Sequence, residues 1–303
     1  MKFGVIGVEQ QTLKLFLPLY FENRNQGDFM FAVKDPNIKK QLMQRYQVDY
    51  LYQSLDQLIA GGIDACFIHG SSAEQLKLAE RCLQKGIHVF IDRPVGESLT
   101  EIKSLQRLAL DNRRIFMLGF NRRFAPMVDQ LKKVSNKRLL SVQKNLCEFK
   151  RPVVDMVNEL FIHLVDTAVY LIDEPIQNVT SQIKDTDGLL ETAVMQLETE
   201  HTAAWVALDA QAGTDNEQIQ LTSGSGCGTL KNLQQLELET AAVKKSWEPE
   251  KWATPLEVYG FSQMVTAFIQ AVRSQTSTKL KQKNICLSHK LCADVLTTYQ
   301  ADH

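Results

Sequence analysis

The chain predicts an α/β domain, a Rossmann-like doubly wound parallel sheet, followed by an α+β domain with a large, mostly antiparallel sheet and helices on one face. Three observations carry this expectation. The first third alternates short apolar runs with helix-length amphipathic segments. A turn that opens with Gly7 follows the first apolar run. From about residue 138, strand-like segments follow one another with little helix between them. A boundary after residue 121 gives domains of 1–121 and 122–303, each long enough for its own core.

In the first domain the apolar runs place strands at 2–6, 30–33, 65–68, 88–91 and 115–118. Helices fall near 10–22, 36–46, 54–60, 72–85 and 98–112. Ser54-x-x-Gln57, Ser72-x-x-Gln75 and Ser98-x-x-Glu101 have the spacing of capping boxes at three of the helix starts. Gly86, after Lys85, suits a helix C-terminus. Strand–helix–strand units of this length close by right-handed crossovers, which makes the strands parallel. Such sheets bind ligands outside the carboxyl ends of their strands. That selects the loops at 7–12, 34–36, 69–73, 92–96 and 119–123.

The first of these loops reads Gly7-Val8-Glu9-Gln10-Gln11-Thr12 against a dinucleotide fingerprint of G-x-G-x-x-G/A. Gly7 fills the first position. Glu9 stands where bare backbone approaches a pyrophosphate, and Thr12 where the helix packs on the strand. A helix N-terminus still offers N–H groups to an anion, and Gln10 and Gln11 add donors. Asp35 ends the second strand and suits a ribose hydroxyl. Pro36 follows where a site for NADP often carries Arg, so NAD is favoured over NADP. Read alone, this loop leaves two readings open: a dinucleotide site, or a Rossmann-like domain that has lost its cofactor.

In the second domain a helix reaches about residue 134 and a strand follows at 138–148. Segments 176–185, 189–198, 201–210, 216–223, 226–231 and 234–243 alternate in the manner of antiparallel strands. The Gly-Ser-Gly-Cys-Gly run at 224–228 is a tight turn, because no helix follows it. Trp247 and Trp252 fall in a loop before a helix at 256–273. The helix at 155–173 is the informative one. Asp155, Glu159, His163, Asp166 and Tyr170 share one stripe of an otherwise apolar segment. The stripe reads either as a solvent-facing edge or as a site. A neutral imidazole at His163 could accept a proton near neutral pH. A cation at Arg93, closing the strand at 88–91, could meet such a pair in one cleft and suit hydride transfer coupled to proton transfer. His69 ends a strand at the carboxyl edge; His88 and His201 start strands and read as structural.

The bulk numbers exclude several classes. The formal net charge is −1 with no basic stripe, which argues against nucleic acid and anionic membrane surfaces as partners. No apolar run approaches the roughly 20 residues of a bilayer span, and the first residues read as a strand rather than a signal peptide. Six cysteines without CxxC spacing fit reduced thiols in a cytoplasmic protein. No metal-ligand spacing stands out.

Several stretches together carry a family likeness. Asp64-Ala65-Cys66-Phe67-Ile68-His69 leads into a helix ending at Gly86; then come His88-Val89-Phe90-Ile91-Asp92-Arg93-Pro94 and Gly119-Phe120-Asn121-Arg122-Arg123-Phe124. Their order resembles the glucose–fructose oxidoreductase and inositol dehydrogenase (Gfo/Idh/MocA) family, and Ala267–Arg273 resembles its late helix. The resemblance implies a nicotinamide-dependent oxidoreductase of sugars, cyclitols or polyols, with a sheet face that packs in a homodimer or homotetramer. The family's Glu-Lys-Pro maps onto Asp92-Arg93-Pro94, and its Thr-Pro loop and nearby histidine onto Gly70-Ser71 and Gln75. Its Asp-x-x-x-His maps onto Glu159 and His163, the histidine taking the substrate proton and the carboxylate orienting the ring. Arg93, Glu159 and His163 are thus the expected catalytic residues. Gly7, Gln10, Gln11, Asp35, Pro36, His69, Gly70, Ser71, Asp92, Arg93 and Asn121 are the expected cofactor contacts. The alternative is a non-catalytic member, a ligand sensor or partner subunit, that has lost its cofactor.

Overall fold

Val5, Phe67 and Phe90 stand abreast on three adjacent parallel strands, and the first unit is built around this row. The computed structural model describes residues 1–48, 50–92 and 99–301, apart from the side chains of Ser72 and Ala73. The first unit takes Met1–Phe120 and Phe261–Gln282. Its elements are β1 (Lys2–Ile6), α1 (Gln10–Leu15), α2 (Leu17–Glu22), β2 (Asp28–Ala32), α3 (Pro36–Tyr46), α4 (Leu55–Ala60), β3 (Ala65–Ile68), α5 (Ser72–Gln84), β4 (His88–Ile91), α6 (Leu99–Asp111) and β5 (Phe116–Leu118). The five strands lie in the order β2-β1-β3-β4-β5, every pair parallel. The order reverses between β1 and β3, and a doubly wound sheet opens its ligand crevice at that point.

Most boundaries fall where the periodicity puts them, and the exceptions have local causes. The helix expected over 10–22 is two helices broken at Phe16. Pro18, in the first turn of α2, has no N–H to give to a continuing ladder. β2 starts two residues early because Asp28 N–H bonds Met1 O at 2.9 Å and extends the register with β1. Ser54 caps α4 by accepting from Gln57 N, whereas the N-cap position of α5 falls on Ser71 instead of Ser72 and has no side-chain cap hydrogen bond. Ser98 lies outside the described residues.

His88, the first residue of β4, is buried, and its Nδ1 accepts the Ile115 N–H at 2.9 Å. Burial first, and the Arg114 charge second, lower its pKa to about 4. Unfolded, the ring would titrate near 6.5. The unfolded chain therefore binds the proton first, and stability is lost as pH falls from about 6.5 towards 4. Between pH 7.5 and pH 5 this one group should remove about 2 kcal/mol. His88→Asn offers an oxygen to Ile115 N–H but does not titrate. Urea midpoints across that range should fall more steeply for the wild type than for His88→Asn; parallel curves would defeat the assignment.

The second unit takes Asn121–Gly260 and Lys283–His303. It begins with a 3-10 turn at Asn121–Phe124, then α7 (Pro126–Lys132) and β6 (Lys137–Cys147). Next come α8 (Val153–Met156), a π-helical turn (Val157–Phe161) and α9 (Ile162–Leu171). Strands β7 (Asn178–Thr186), β8 (Leu189–Glu198), β9 (Ala203–Ala212), β10 (Asn216–Ser223), β11 (Gly226–Lys231), β12 (Gln235–Glu239) and β13 (Lys244–Trp247) follow. After the short α10 (Pro255–Val258) the chain returns to the first unit for α11 (Phe261–Ser274), then closes the second with α12 (Ile285–Ala301). The eight strands run β13-β12-β11-β10-β6-β9-β8-β7, antiparallel except β6 beside β9. That pair is parallel because the connection between them passes through the helical segment and the β7–β8 hairpin. Trp247 belongs to β13, opposite Leu236, so only Trp252 remains in the expected loop.

One face of this sheet buries Leu140, Val142, Met195, Val206 and Ile219, and α9 packs over β6 and β9. On the other face Leu139 and Trp205 are exposed among Ser141, Gln196, Gln220 and Thr222. The alternation is therefore real, but the outer face is more polar than a simple apolar layer.

The division into units departs from a single cut after residue 121. Phe268 of α11 packs on Phe67 and Phe90 with ring centroids 5.1 and 5.6 Å apart. Gln282 accepts from Leu118 N and donates to Leu118 O, capping the free edge of β5. An amphipathic helix carries no mark of which core it joins, so the sequence pattern alone leaves this return unseen.

Candidate functional site

The carboxyl edge of the first unit gathers most of the expected cofactor residues. Gly7 and Gly70 adopt φ of +76° and +90°, a region glycine enters without strain. A Cβ on Gly7 would lie 2.1 Å from His69 O, so the loops after β1 and β3 touch through bare backbone. The atoms nearest a Cβ on Gly70 would be Gly7 Cα and O and Glu9 Oε1, at 3.6–3.7 Å, which is ordinary contact distance. Gln10, Gln11, Asp35, Pro36 and Ser71 are exposed on the neighbouring loops. The backbone thus leaves room for a phosphate bridge, and the Glu9 carboxylate, beside Gly70, opposes it by charge. A nicotinamide dinucleotide fits this edge in shape, at a cost in charge.

Glu9 stands at the N-cap of α1, its N–H reaching Thr12 Oγ1 at 3.4 Å. Thr12 is buried, so the third fingerprint position is filled by a side chain that packs inward. Glycine is tolerated at an N-cap, and removing a like charge about 4 Å from a phosphate is worth about 1 kcal/mol in water. Glu9→Gly should therefore tighten NADH binding about fivefold in calorimetry. No change, or a weaker complex, would mean that the carboxylate turns away from the phosphates.

Asp35 is engaged locally. Its Oδ1 accepts from Asn37 N at 2.7 Å and Ile38 N at 3.0 Å, which makes it the N-cap of α3. His69 is buried, with Nε2 2.7 Å from the Tyr20 hydroxyl and Nδ1 3.2 Å from Asp92 Oδ2. Gln75 Nε2 donates to Asp92 O at 2.9 Å. Arg93 lies outside the described residues. Asn121 belongs to the second unit, where its Nδ2 donates to Tyr259 O at 2.8 Å and ties the 3-10 turn to the segment ending at Gly260.

In the second unit the polar stripe divides by depth. Asp166 is buried and accepts from Arg123 Nε at 2.8 Å, Arg123 Nη2 at 2.7 Å and Ser288 Oγ at 2.8 Å. Tyr170 donates to Asp129 Oδ1 at 3.2 Å; burial, then the Asp129 charge, raise its pKa above the ordinary phenol value. A uniformly solvent-facing stripe is thereby excluded. His163 is half-buried on α9, two residues past the π turn that contains Glu159. Both Glu159 oxygens meet Arg151, at 2.6 and 2.9 Å, and Asp155 lies 3.5 Å from the same guanidinium. Glu159 first, then Asp155, raise the Arg151 pKa further.

Three features escaped the sequence reading. Arg151 had a visible signal, since Arg151, Asp155 and Glu159 repeat at intervals of four. Tyr20 had a weaker one, the Phe16–Tyr20 pair at helical spacing. The π turn had none, although such turns recur at functional sites.

Residues 1–120 match the family described as "Oxidoreductase family, NAD-binding Rossmann fold", and residues 126–241 match "YceM-like, C-terminal domain". The chain is 24% identical over 297 residues to "Putative oxidoreductase YceM" of Salmonella typhimurium, covering 96% of this chain and 95% of that one. A dehydrogenase (MviM) from Clostridium difficile superposes with a TM-score of 0.91 at 21% identity, covering 98% of this chain and 99% of the other. A Gfo/Idh/MocA family oxidoreductase from Vibrio cholerae gives 0.87 at 22%, with both chains covered in full. More distant solved structures of the same fold include UDP-N-acetylglucosamine 3-dehydrogenase GnnA from Acidithiobacillus ferrooxidans (16% identity, TM-score 0.79) and a super-repressor mutant of Gal80p from Saccharomyces cerevisiae (12%, 0.83). The fold and its cofactor edge define a two-unit oxidoreductase of the NAD-binding Rossmann class. The chain belongs to the Gfo/Idh/MocA oxidoreductase family.

Proposed function

We propose that the protein is a dehydrogenase that moves a hydride between NAD and a sugar-, cyclitol- or polyol-like alcohol. The observation that carries this reading is His163: a half-buried imidazole on a helix whose flanks are buried, next to a π turn and a braced carboxylate. The cofactor, when bound, supplies the hydride acceptor or donor. His163 takes the hydroxyl proton as the alcohol is oxidised and returns it in the reverse direction. Glu159 orients the imidazole, and Arg151 fixes Glu159 through both of its oxygens. Arg93 stabilises negative charge on the substrate oxygen and moves no proton, because a guanidinium stays protonated. Gly7, Gly70, Ser71, Gln10 and Gln11 receive the phosphates, and Asp35 with Pro36 favours NAD over NADP. The GnnA relative is by its name a dehydrogenase of a sugar nucleotide, which supports the carbohydrate class.

The deciding experiment is a screen of sugars, inositols and their acids with NAD and NADP, alongside thermal shift with NADH. Turnover of at least one polyol with NAD is expected, with NADH raising the melting temperature. No shift and no turnover would favour the second reading, a non-catalytic member. That reading draws on Glu9 at the phosphate edge and on the fold shared with Gal80p.

A homodimer or homotetramer formed through the outer sheet face, with Trp205 near its centre, belongs to the same proposal. Light scattering at micromolar concentration should give at least twice the 34.4 kDa chain mass, and a clean monomer would remove it. A cytoplasmic location is likewise proposed. Among the described residues no helix is long and apolar enough to cross a membrane.

A further inference from the structure

A polar side chain too deep to reach a ligand can still fix one that does. His69 is 2% exposed, and its ring lies 4.6 Å from that of Phe16. Tyr20 is buried against Phe29 and Phe67, with centroids 5.1 and 4.9 Å away. Burial, then the Asp92 charge, raise the Tyr20 pKa well above the ordinary phenol value, so the hydroxyl keeps its proton. Asp92 Oδ2 is an acceptor, which places the ring proton on Nδ1 and leaves Nε2 to accept from the Tyr20 hydroxyl. Two further hydrogen bonds hold the Asp92 backbone. Its N–H bonds Ile68 O at 3.0 Å, its carbonyl accepts from the fully buried Gln75, and its side chain is 23% exposed at the carboxyl edge. Apolar side chains could fill positions 20 and 69 within this aromatic cluster without the desolvation cost of a buried hydroxyl and imidazole. The polar chain instead ends on a partly exposed carboxylate, immediately before Arg93.

We propose that Tyr20 and His69 are positioning residues: a buried hydroxyl–imidazole chain that fixes the Asp92 carboxylate for contact with a bound nicotinamide dinucleotide. This rests on the cofactor reading above. His69 then acts on the cofactor through Asp92, without touching it.

Tyr20→Phe keeps the ring and deletes the hydroxyl. NADH affinity, read by fluorescence titration, should fall about three- to tenfold, the worth of one buried hydrogen bond. The His69 Nδ1 proton should give a resolved downfield NMR signal in the wild type and be lost to exchange in Tyr20→Phe. Asp92→Asn should also weaken NADH binding, and adding Tyr20→Phe to it should cost nothing more, because both act on one carboxylate. Should Tyr20→Phe fold poorly, His69→Gln in the same two backgrounds gives the same comparison. Losses that simply add, or a Tyr20→Phe protein that binds NADH as the wild type does, overturn the proposal while leaving the cofactor reading intact. A wild type that binds neither NADH nor NADPH overturns both.

Discussion

His163→Ala is expected to lower turnover about 10²- to 10⁴-fold with whichever alcohol the screen identifies, the usual contribution of a general acid–base group. Folding and NADH binding should survive, since His163 is only half-buried and belongs to the second unit, whereas the expected dinucleotide-edge residues belong to the first. Glu159→Gln should cost less. It weakens the brace with Arg151 and the orientation of the ring but leaves the proton acceptor in place. Steady-state rates with circular dichroism and NADH titration check all three statements. Near-wild-type turnover in a well-folded His163→Ala protein would move the acid–base role elsewhere.

The largest expected loss of stability comes from the same helix, one turn further on. Asp166→Ala should destabilise the protein by about 3–5 kcal/mol, because it strands a buried guanidinium. Arg123 is fully buried, and although its Nη1 also donates to Lys283 O at 2.7 Å, a carbonyl carries no charge to balance the guanidinium. A domain holds only about 5–15 kcal/mol in total, so the urea midpoint should fall sharply. Replacing both partners, Arg123→Met with Asp166→Leu, should cost much less than Asp166→Ala, since an apolar pair strands no charge. A loss below about 1 kcal/mol for Asp166→Ala would show that water reaches the pair.

These two residues also show what a sequence can disclose. The interval from His163 to Asp166 puts both on one side of a helix, and the apolar flanks show that the helix is buried. Nothing in the pattern says that one of them remains half-exposed and the other pairs with Arg123 more than forty positions earlier. The parallel sheet was legible because alternating strands and helices of these lengths admit few topologies. The larger sheet was legible from period-two alternation, down to most strand ends. The parallel β6–β9 neighbours and the return of α11 were not, because both depend on tertiary packing between distant segments. At the cofactor edge the sequence marked Glu9 as anomalous. It gave no sign that His69 would turn inward to Tyr20, since a strand-end histidine reads alike in either orientation.

The excursion of α11 back to the first unit bears on the order in which the polypeptide can mature as it leaves the ribosome. Phe67 and Phe90 are translated early, but Phe268 and Gln282, which cover them and close the β5 edge, come after every strand of the larger sheet. The larger sheet waits in turn for α12, which packs on α9. Neither core is complete until α11 and α12 have been made. The usual vectorial sequence, in which an amino-terminal domain finishes before the next begins, is closed to this chain. A nascent form halted near residue 260 would carry two open hydrophobic surfaces at once.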